Sequence, residues 1–122
     1  MVLESKVGTD IVEVSRIGTL CDEQGGRFYR HIFTDSEVEW CKERAVPQMH
    51  LAGRFAAKEA VKKALLAFGE KEIPLNSIEI LRERNAPPQV TLHLELNRTY
   101  ECQVSISHTD SLATAVAIVT SQ

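Results

Sequence analysis

The fold is set by one stretch of sequence, Leu51-Ala52-Gly53-Arg54-Phe55-Ala56-Ala57-Lys58-Glu59-Ala60-Val61-Lys62-Lys63-Ala64. At about 100° per residue, a helix over this stretch gathers small and apolar side chains on one side, namely Gly53, Ala57, Ala60, Val61, Ala64 and Phe68. Such a side can pack very closely on a sheet. Glu59 and Lys63 fall on a second side with Ala52 and Ala56, whose methyl groups are expected to leave room for a ligand. The helix is predicted to begin near Pro47 and to end near Gly69.

The residues before this helix predict one strand and one shorter helix. Val7 to Val14 is rich in β-formers, and its alternation places Asp10 on the same face as valines. Thr34 and Glu37 have the spacing of a capping box, which predicts a helix that continues through Trp40 and ends before Pro47.

The C-terminal third changes to the period of strands. Alternating apolar residues predict strands within three segments, which are Asn76 to Leu81, Val90 to Leu96 and Cys102 to Ile106. Leu112 to Val119 is apolar on both faces and is predicted to be a buried central or interface strand. A strand, then helices, then a meander of antiparallel strands predicts an α+β fold, with residues 1–122 forming a single domain.

Composition narrows the class of protein. The chain has 122 residues, 43% of them hydrophobic, and a net charge of −3, which is ordinary for a soluble domain. Its three cysteines lack zinc-ligand spacing, which predicts reduced thiols and a cytoplasmic location. The N-terminus has no apolar signal core, and the run from Leu112 to Val119 is too short to span a bilayer, so we expect no membrane partner.

Two carboxylates suggest a magnesium site. Mg²⁺ commonly takes one or two protein carboxylates and completes its shell with phosphate and water, so Asp10 and Glu59 would suffice, with Lys63 and Arg54 holding the phosphates. The alternatives are a surface ion pair between Glu59 and Lys63, and an Asp10 carboxylate bonded to a turn amide. His108, at the end of a strand, suits a phosphate or acid–base role, or else hydrogen bonding within a turn.

The other three histidines, His31, His50 and His93, are assigned no chemistry. His93 lies on the polar face of a predicted strand, and the other two flank predicted helices.

Several motifs recur together in an order that is typical of one known family. They are Gly8-Thr9-Asp10-Ile11-Val12-Glu13-Val14 with Arg16-Ile17, Phe33-Thr34-Asp35-Ser36-Glu37, Leu51 to Ala60, and Val104-Ser105-Ile106-Ser107-His108. On these motifs the chain resembles the holo-acyl-carrier-protein synthases over nearly its full length. The resemblance implies a 4'-phosphopantetheinyl transferase that moves the phosphopantetheine arm of coenzyme A to a serine of an apo acyl carrier protein. The other product would be adenosine 3',5'-bisphosphate, and the reaction would support fatty acid biosynthesis.

The resemblance also implies roles for individual residues. Asp10 and Glu59 would hold Mg²⁺ against the coenzyme A diphosphate, Lys63 would add positive charge at the transferred phosphate, and these three form the predicted catalytic set. Arg54 and His108 would lie near the nucleotide 3'-phosphate, and Lys58 is also assigned to coenzyme A. The base that deprotonates the serine stays open between Glu59, Asp10 acting through a metal-bound water, and bulk solvent.

The carrier partner of this family is strongly acidic. The resemblance therefore assigns carrier binding to Arg16, Arg27 and Arg30, which would otherwise be solvated helix charges. It further implies a homotrimer with active sites in the clefts between subunits, in which Leu112 to Val119 lines the interface and His108 reaches a neighbour's ligand.

Two other functions compete with transfer. One is a catalytically altered homologue that binds coenzyme A or a carrier without transfer, since Leu66 to Gly69 replaces the family's glycine-rich turn. The other is an RNA-binding module that uses the cations from Arg54 to Lys63. The acidic net charge and the lack of an exposed aromatic platform argue against it, so no nucleic acid partner is expected.

Overall fold

A three-stranded antiparallel sheet with one long helix across it forms the framework of the protein. The computed structural model describes residues 3–122. The elements follow in the order β1 (Glu4–Glu13), α1 (Val14–Gln24), α2 (Gly26–Ile32), α3 (Asp35–Lys42), α4 (Pro47–Ala67), β2 (Ile78–Leu81), β3 (Gln89–Leu92), β4 (Tyr100–His108) and β5 (Leu112–Ser121). A short 3₁₀ turn, Leu75–Ser77, precedes β2. The predicted α+β class is confirmed.

The strand β5 is central in the larger sheet, whose order is β1-β5-β4. In this register Asp10 of β1 pairs with Ala115 of β5, and Ala115 pairs on its other side with Ile106 of β4. The inward face of β5 carries small side chains, since Ala113, Ala115 and Ala117 all lie buried beneath α4. The sequence correctly predicted a central strand here, while β2 and β3 form a separate two-stranded sheet.

Helix α4 packs on all three strands and crosses from β4 to β1. A Cβ on Gly53 would lie 2.9 Å from Cγ2 of Ile106, and a Cβ on Gly8 would lie 1.7 Å from the carbonyl oxygen of Ala60. Only glycine allows the backbones of β1 and α4 to approach this closely. The close-packing side that was predicted for the helix therefore faces the sheet.

The predicted ends of the elements differ modestly from those observed. The capping box at Thr34 and Glu37 is present. Helix α4 ends at Ala67 because Gly69, with φ of 93°, reverses the chain, and the amide of Glu70 donates to the carbonyl oxygen of Leu65. The strand predicted up to Leu96 instead stops at Leu92.

Ala52 and Ala56 have no exposed surface, so the predicted floor beneath a ligand is wrong, and these alanines belong to the core. Among the helices of residues 3–122, none combines the length and the hydropathy needed to cross a membrane.

Alanine substitutions at two glycines should change the free energy of unfolding in opposite directions, because only Gly8 lies at the close contact of β1 with α4. Gly8→Ala should lower the free energy of unfolding by about 3 kcal/mol or more, because the new methyl group meets a helix carbonyl rather than a flexible side chain. Gly18→Ala is the matched control. In α1 its Cβ would lie an ordinary 3.5 Å from Cγ of Gln48, and it should raise stability by about 0.5–1 kcal/mol. Urea unfolding of both variants checks this, and equal effects would contradict the packing argument.

Candidate active site

Asp10 and Lys63 meet where β1 passes under α4. The Lys63 ammonium donates to the carbonyl oxygen of Thr9 at 2.9 Å and lies 3.3 Å from Oδ1 of Asp10. Asp10 reaches the helix because it shares the inward face of β1 with Gly8 and Val12, and its side chain is 18% exposed. Lys63 remains half-exposed, so this cation is available to a ligand as well as to Asp10.

Glu59 lies one helical turn before Lys63 and is partly buried. Within residues 3–122 its carboxylate makes no hydrogen bond or ion pair. The alternative of a surface ion pair between Glu59 and Lys63 is therefore not formed, because the lysine turns to Asp10 instead. No other described residue uses the acceptor oxygens of Glu59.

The donor set at this junction fits Mg²⁺. Asp10 and Glu59 offer hard carboxylate oxygens, and Mg²⁺ needs only one or two of these when phosphate and water supply the other ligands. No group of three potential ligands among His, Cys, Asp and Glu occurs in residues 3–122, so the protein does not form a closed metal cage there. Asp10 and Glu59 are the residues that would hold the ion.

A second cluster lies at the other edge of the sheet, where the start of α4 meets the end of β4. A cavity of about 410 Å³ there is lined by Trp40, His50, Arg54, Arg82, Ile106 and His108, together with part of the loop that precedes β3. Its titratable side chains are all basic, which makes it suited to an anion. An adjoining cavity of about 560 Å³ shares Trp40, His50 and Arg82 and adds Arg44, Arg84 and the carboxylate of Glu83.

Arg54 is the most buried cation of this pocket, with 5% of its surface exposed. Its Nε has no hydrogen-bond partner among the described residues, and its guanidinium lies 4.0 Å from the centre of the Trp40 ring. The His50 ring lies 6.1 Å from that of His108. Burial, reinforced by the charge of Arg54, lowers the pKa of the His50 imidazole.

The sequence anticipated Arg54 and His108 in this pocket but missed Trp40, His50 and Arg82, and it also missed Arg44 of the adjoining cavity. His50 had been assigned no chemistry because it flanks a helix in sequence. The signal that would have found it is its spacing of four residues from Arg54, which places both on one side of α4.

Lys58 does not belong to either cluster. Its ammonium is fully buried, lies 2.6 Å from Oε1 of Glu37, and donates to the carbonyl oxygens of Leu75 and Ile78. Glu37 in turn accepts from the amides of Thr34 and Ile80. The pair therefore ties α4 to the start of α3 and to β2.

The assignment of Lys58 to coenzyme A is thus not supported by the geometry. The sequence pattern does not show the partner of Lys58, because only the packing of α3 and β2 against α4 brings the buried Glu37 carboxylate to it. Burial lowers the pKa of the Lys58 ammonium, and Glu37 opposes that effect.

The buried pair makes a distinctive prediction for stability and binding. Lys58→Met should lower the free energy of unfolding by about 3–5 kcal/mol, because Glu37 is left as an uncompensated buried charge. The double variant Glu37→Gln with Lys58→Met should recover part of this loss. Urea unfolding measures both, while calorimetry of folded protein should give an unchanged affinity for coenzyme A. A selective loss of that affinity would restore Lys58 to the ligand site.

The three arginines predicted to bind a carrier are all exposed. Arg16 lies on α1, and Arg27 and Arg30 lie on α2. Between the last two, Phe28 is buried with 6% exposure and anchors α2 in the core. This anchoring leaves Arg27 and Arg30 free to face solvent.

The two clusters lie at opposite edges of the sheet. Asp10 is on β1 and His108 is on β4, with β5 between them. From Arg54 to Lys63 the helix axis advances roughly 14 Å. One protomer therefore presents a carboxylate and lysine site at one edge and a basic pocket at the other.

Known proteins resemble this chain over nearly its full length. Residues 6–117 match the family model of the 4'-phosphopantetheinyl transferase superfamily. The chain is 40% identical over 114 residues to the holo-[acyl-carrier-protein] synthase of Chlorobaculum parvum, an alignment that covers 93% of this chain and 97% of that protein.

Solved structures of acyl carrier protein synthases have a fold similar to that of this chain. A complex of an acyl carrier protein synthase with coenzyme A from Chronobacterium ammoniagenes superposes with a TM-score of 0.82 and 27% identity, covering 98% of each chain. The holo-(acyl-carrier-protein) synthase of Bacillus anthracis in complex with CoA (3',5'-ADP) gives a TM-score of 0.78 and 30% identity over 96% of each chain. The chain belongs to the 4'-phosphopantetheinyl transferase superfamily, and the resemblance seen in its motifs is confirmed.

Proposed function

We propose that this chain is a Mg²⁺-dependent transferase that moves the 4'-phosphopantetheine group of coenzyme A to a serine of an apo acyl carrier protein, in support of fatty acid biosynthesis. The observation that carries the proposal is the junction of β1 and α4, where Lys63 contacts Asp10 and Glu59 lies one helical turn before Lys63. The serine oxygen forms a bond to the phosphorus that bears pantetheine, and the bond to the bridging oxygen breaks. Adenosine 3',5'-bisphosphate leaves, and the serine proton passes to a base.

The residues of the chain support this reaction mainly by electrostatics. When bound at Asp10 and Glu59, Mg²⁺ would neutralise charge on the diphosphate and on the departing oxygen. The Lys63 ammonium is held by Thr9 and Asp10. It therefore places a positive charge beside the diphosphate without having to change its own position during the reaction. Arg54 and His108 bind the nucleotide end of the donor, and their pocket orients it. Glu59 and Asp10 remain the protein's candidates for the base.

The partner surface consists of Arg16, Arg27 and Arg30. These exposed cations lie on two consecutive helices, and a strongly acidic carrier would complement them despite the net negative charge of the chain. We also place the reaction in the cytoplasm, since Cys21, Cys41 and Cys102 are free thiols.

The chain would act as a homotrimer. The outer face of the sheet exposes large apolar side chains, among them Val7, Ile11, Val116 and Ile118, at 44–64% of their surface. Such a face favours contact with other copies. A cyclic arrangement would also bring the β1 edge of one protomer to the β4 edge of the next, joining the two clusters that a single protomer keeps apart.

Intact-mass spectrometry of an apo acyl carrier protein tests the transfer. With Mg²⁺ and coenzyme A, the carrier should gain the mass of one phosphopantetheine group. Glu59→Gln and Lys63→Met should each lower kcat by about 10²-fold or more, because they remove charge that stabilises the transition state. Lys62→Met, one position away on α4, is the matched control and should retain activity. A panel of carriers left unmodified would reject the transfer and favour a homologue that only binds, whereas transfer unaffected by chelator would reject the dependence on Mg²⁺.

Mixing two inactive variants tests the shared site. Asp10→Asn damages the β1 edge and Arg54→Gln damages the pocket. After unfolding and refolding the two together at equal concentration, about a quarter of the sites should combine an intact edge with an intact pocket. Activity should return to a similar fraction, and sedimentation should give a trimer. If each site lay within one protomer, the mixture would stay inactive.

A further inference from the structure

Helix α2 is short and has little stability of its own. It spans only Gly26–Ile32, and its N-cap residue, Gly25, has no side chain that could accept from the first amide groups. Its first turn contains no acidic residue. Because an isolated helix of this length does not persist in water, the position of α2 depends on its contacts with the rest of the protein.

Asn76 supplies one of these contacts, at the C-terminal end of α2. Its side-chain amide, Nδ2, donates to the carbonyl oxygen of Arg30 at 2.9 Å. The carbonyl groups in the last turn of a helix have no partner within the helix, so an outside donor fixes the position of that turn. Phe28 is buried and anchors the middle of α2, whereas Asn76 holds its end.

The turn that carries Asn76 is itself fixed to α4. The buried ammonium of Lys58 donates to the carbonyl oxygens of Leu75 and Ile78, which flank Asn76 in the sequence. The carbonyl oxygen of Ser77 accepts from the amide of His93 at 2.8 Å. The bond from Asn76 therefore ties the end of α2 to the core of the protein and not to another loosely held segment.

Arg30 has carboxylates of its own chain nearby but does not pair with them. It is exposed and lines a cavity of about 550 Å³ between α2 and α3, together with Asp35, Glu39 and Glu43 of α3. Within residues 3–122 it forms no ion pair. Its Nη1 lies instead back along α2, 3.7 Å from where a Cβ on Gly26 would be. The charge of Arg30 is therefore available to an anion from outside the chain.

We infer that Asn76 positions Arg30 for an acidic carrier, by holding the end of α2 where the guanidinium does not pair with the carboxylates of α3. The inference rests on the proposed function, in which Arg30 belongs to the carrier-binding surface. A loosened last turn would let Arg30 reach those carboxylates, and a carrier would then have to displace them before it could bind. Asn76 touches no reacting atom, so it is a positioning residue.

Steady-state kinetics of Asn76→Leu test this role, because leucine is similar in size to asparagine and cannot donate. KM for the apo carrier should rise about fivefold, as expected for the loss of one hydrogen bond, while kcat and KM for coenzyme A stay as in the wild type. Asn97→Leu is the matched control. Asn97 is also exposed and its Nδ2 donates to Glu70 at 3.1 Å, so the variant loses a comparable bond but should leave KM for the carrier unchanged.

A double variant shows whether Asn76 acts through Arg30. Arg30→Gln removes the charge that Asn76 is inferred to position. In that background Asn76→Leu should raise KM for the carrier by less than about twofold further, since the two changes affect one interaction. A full fivefold rise on top of Arg30→Gln would mean that Asn76 acts elsewhere, and the inference would be rejected.

Binding measurements separate this inference from the proposed function. Calorimetry with a carrier whose acceptor serine is replaced by alanine requires no transfer, and Asn76→Leu should weaken its binding about fivefold. Equal affinities of the wild type and Asn76→Leu would overturn the role of Asn76 even if transfer is intact. A wild type that binds the carrier more tightly than Asn76→Leu but modifies none would reject the proposed transfer and leave that role supported. A wild type that binds no carrier would reject both.

Discussion

The closeness of α4 to the sheet is the constraint on which both functional clusters depend. Gly8 removes the side chain that would strike the carbonyl of Ala60, and Gly53 does the same at Ile106. The buried alanines of β5 continue this smooth surface. Because the backbones nearly touch, the lysine at position 63 reaches Asp10, which a thicker layer of side chains would prevent. The same crossing carries Arg54 to the opposite edge of the sheet.

Charge is used in two different ways along this helix. Lys58 is fully buried, and its ammonium bonds to Glu37 and to backbone carbonyl oxygens. Its charge is thus neutralised within the protein, and these bonds hold α3 and β2 against α4. Arg54 is nearly as buried but has no carboxylate partner among residues 3–122, and it lines the basic pocket. The partners rather than the burial therefore distinguish the structural cation, Lys58, from the cation proposed to bind a ligand, Arg54.

The alternation and capping signals predicted the strands, α3 and α4 because these signals are local, but they did not identify α1 and α2. Thr34 and Glu37 form the expected capping box, and β5 is central as its two apolar faces indicated. The errors concern tertiary packing. Ala52 and Ala56 were expected beneath a ligand but are covered by the core, and the alternation up to Leu96 continued past the strand, which ends at Leu92. A period of two residues cannot show where a strand loses its hydrogen-bonding partner.

The sequence by itself determined the family, the α+β class and the small-residue side of α4, because these follow from spacing and residue size along the chain. It also singled out Asp10, Lys63, Arg54 and His108. Only the tertiary structure decided the partner of each charge: Lys63 bonds to Asp10 rather than to Glu59, Lys58 bonds to Glu37, and Arg54 stacks on Trp40. The physical reason is that ion pairs and cation–π contacts act over a few ångströms, between residues that only the packing of distant segments brings together.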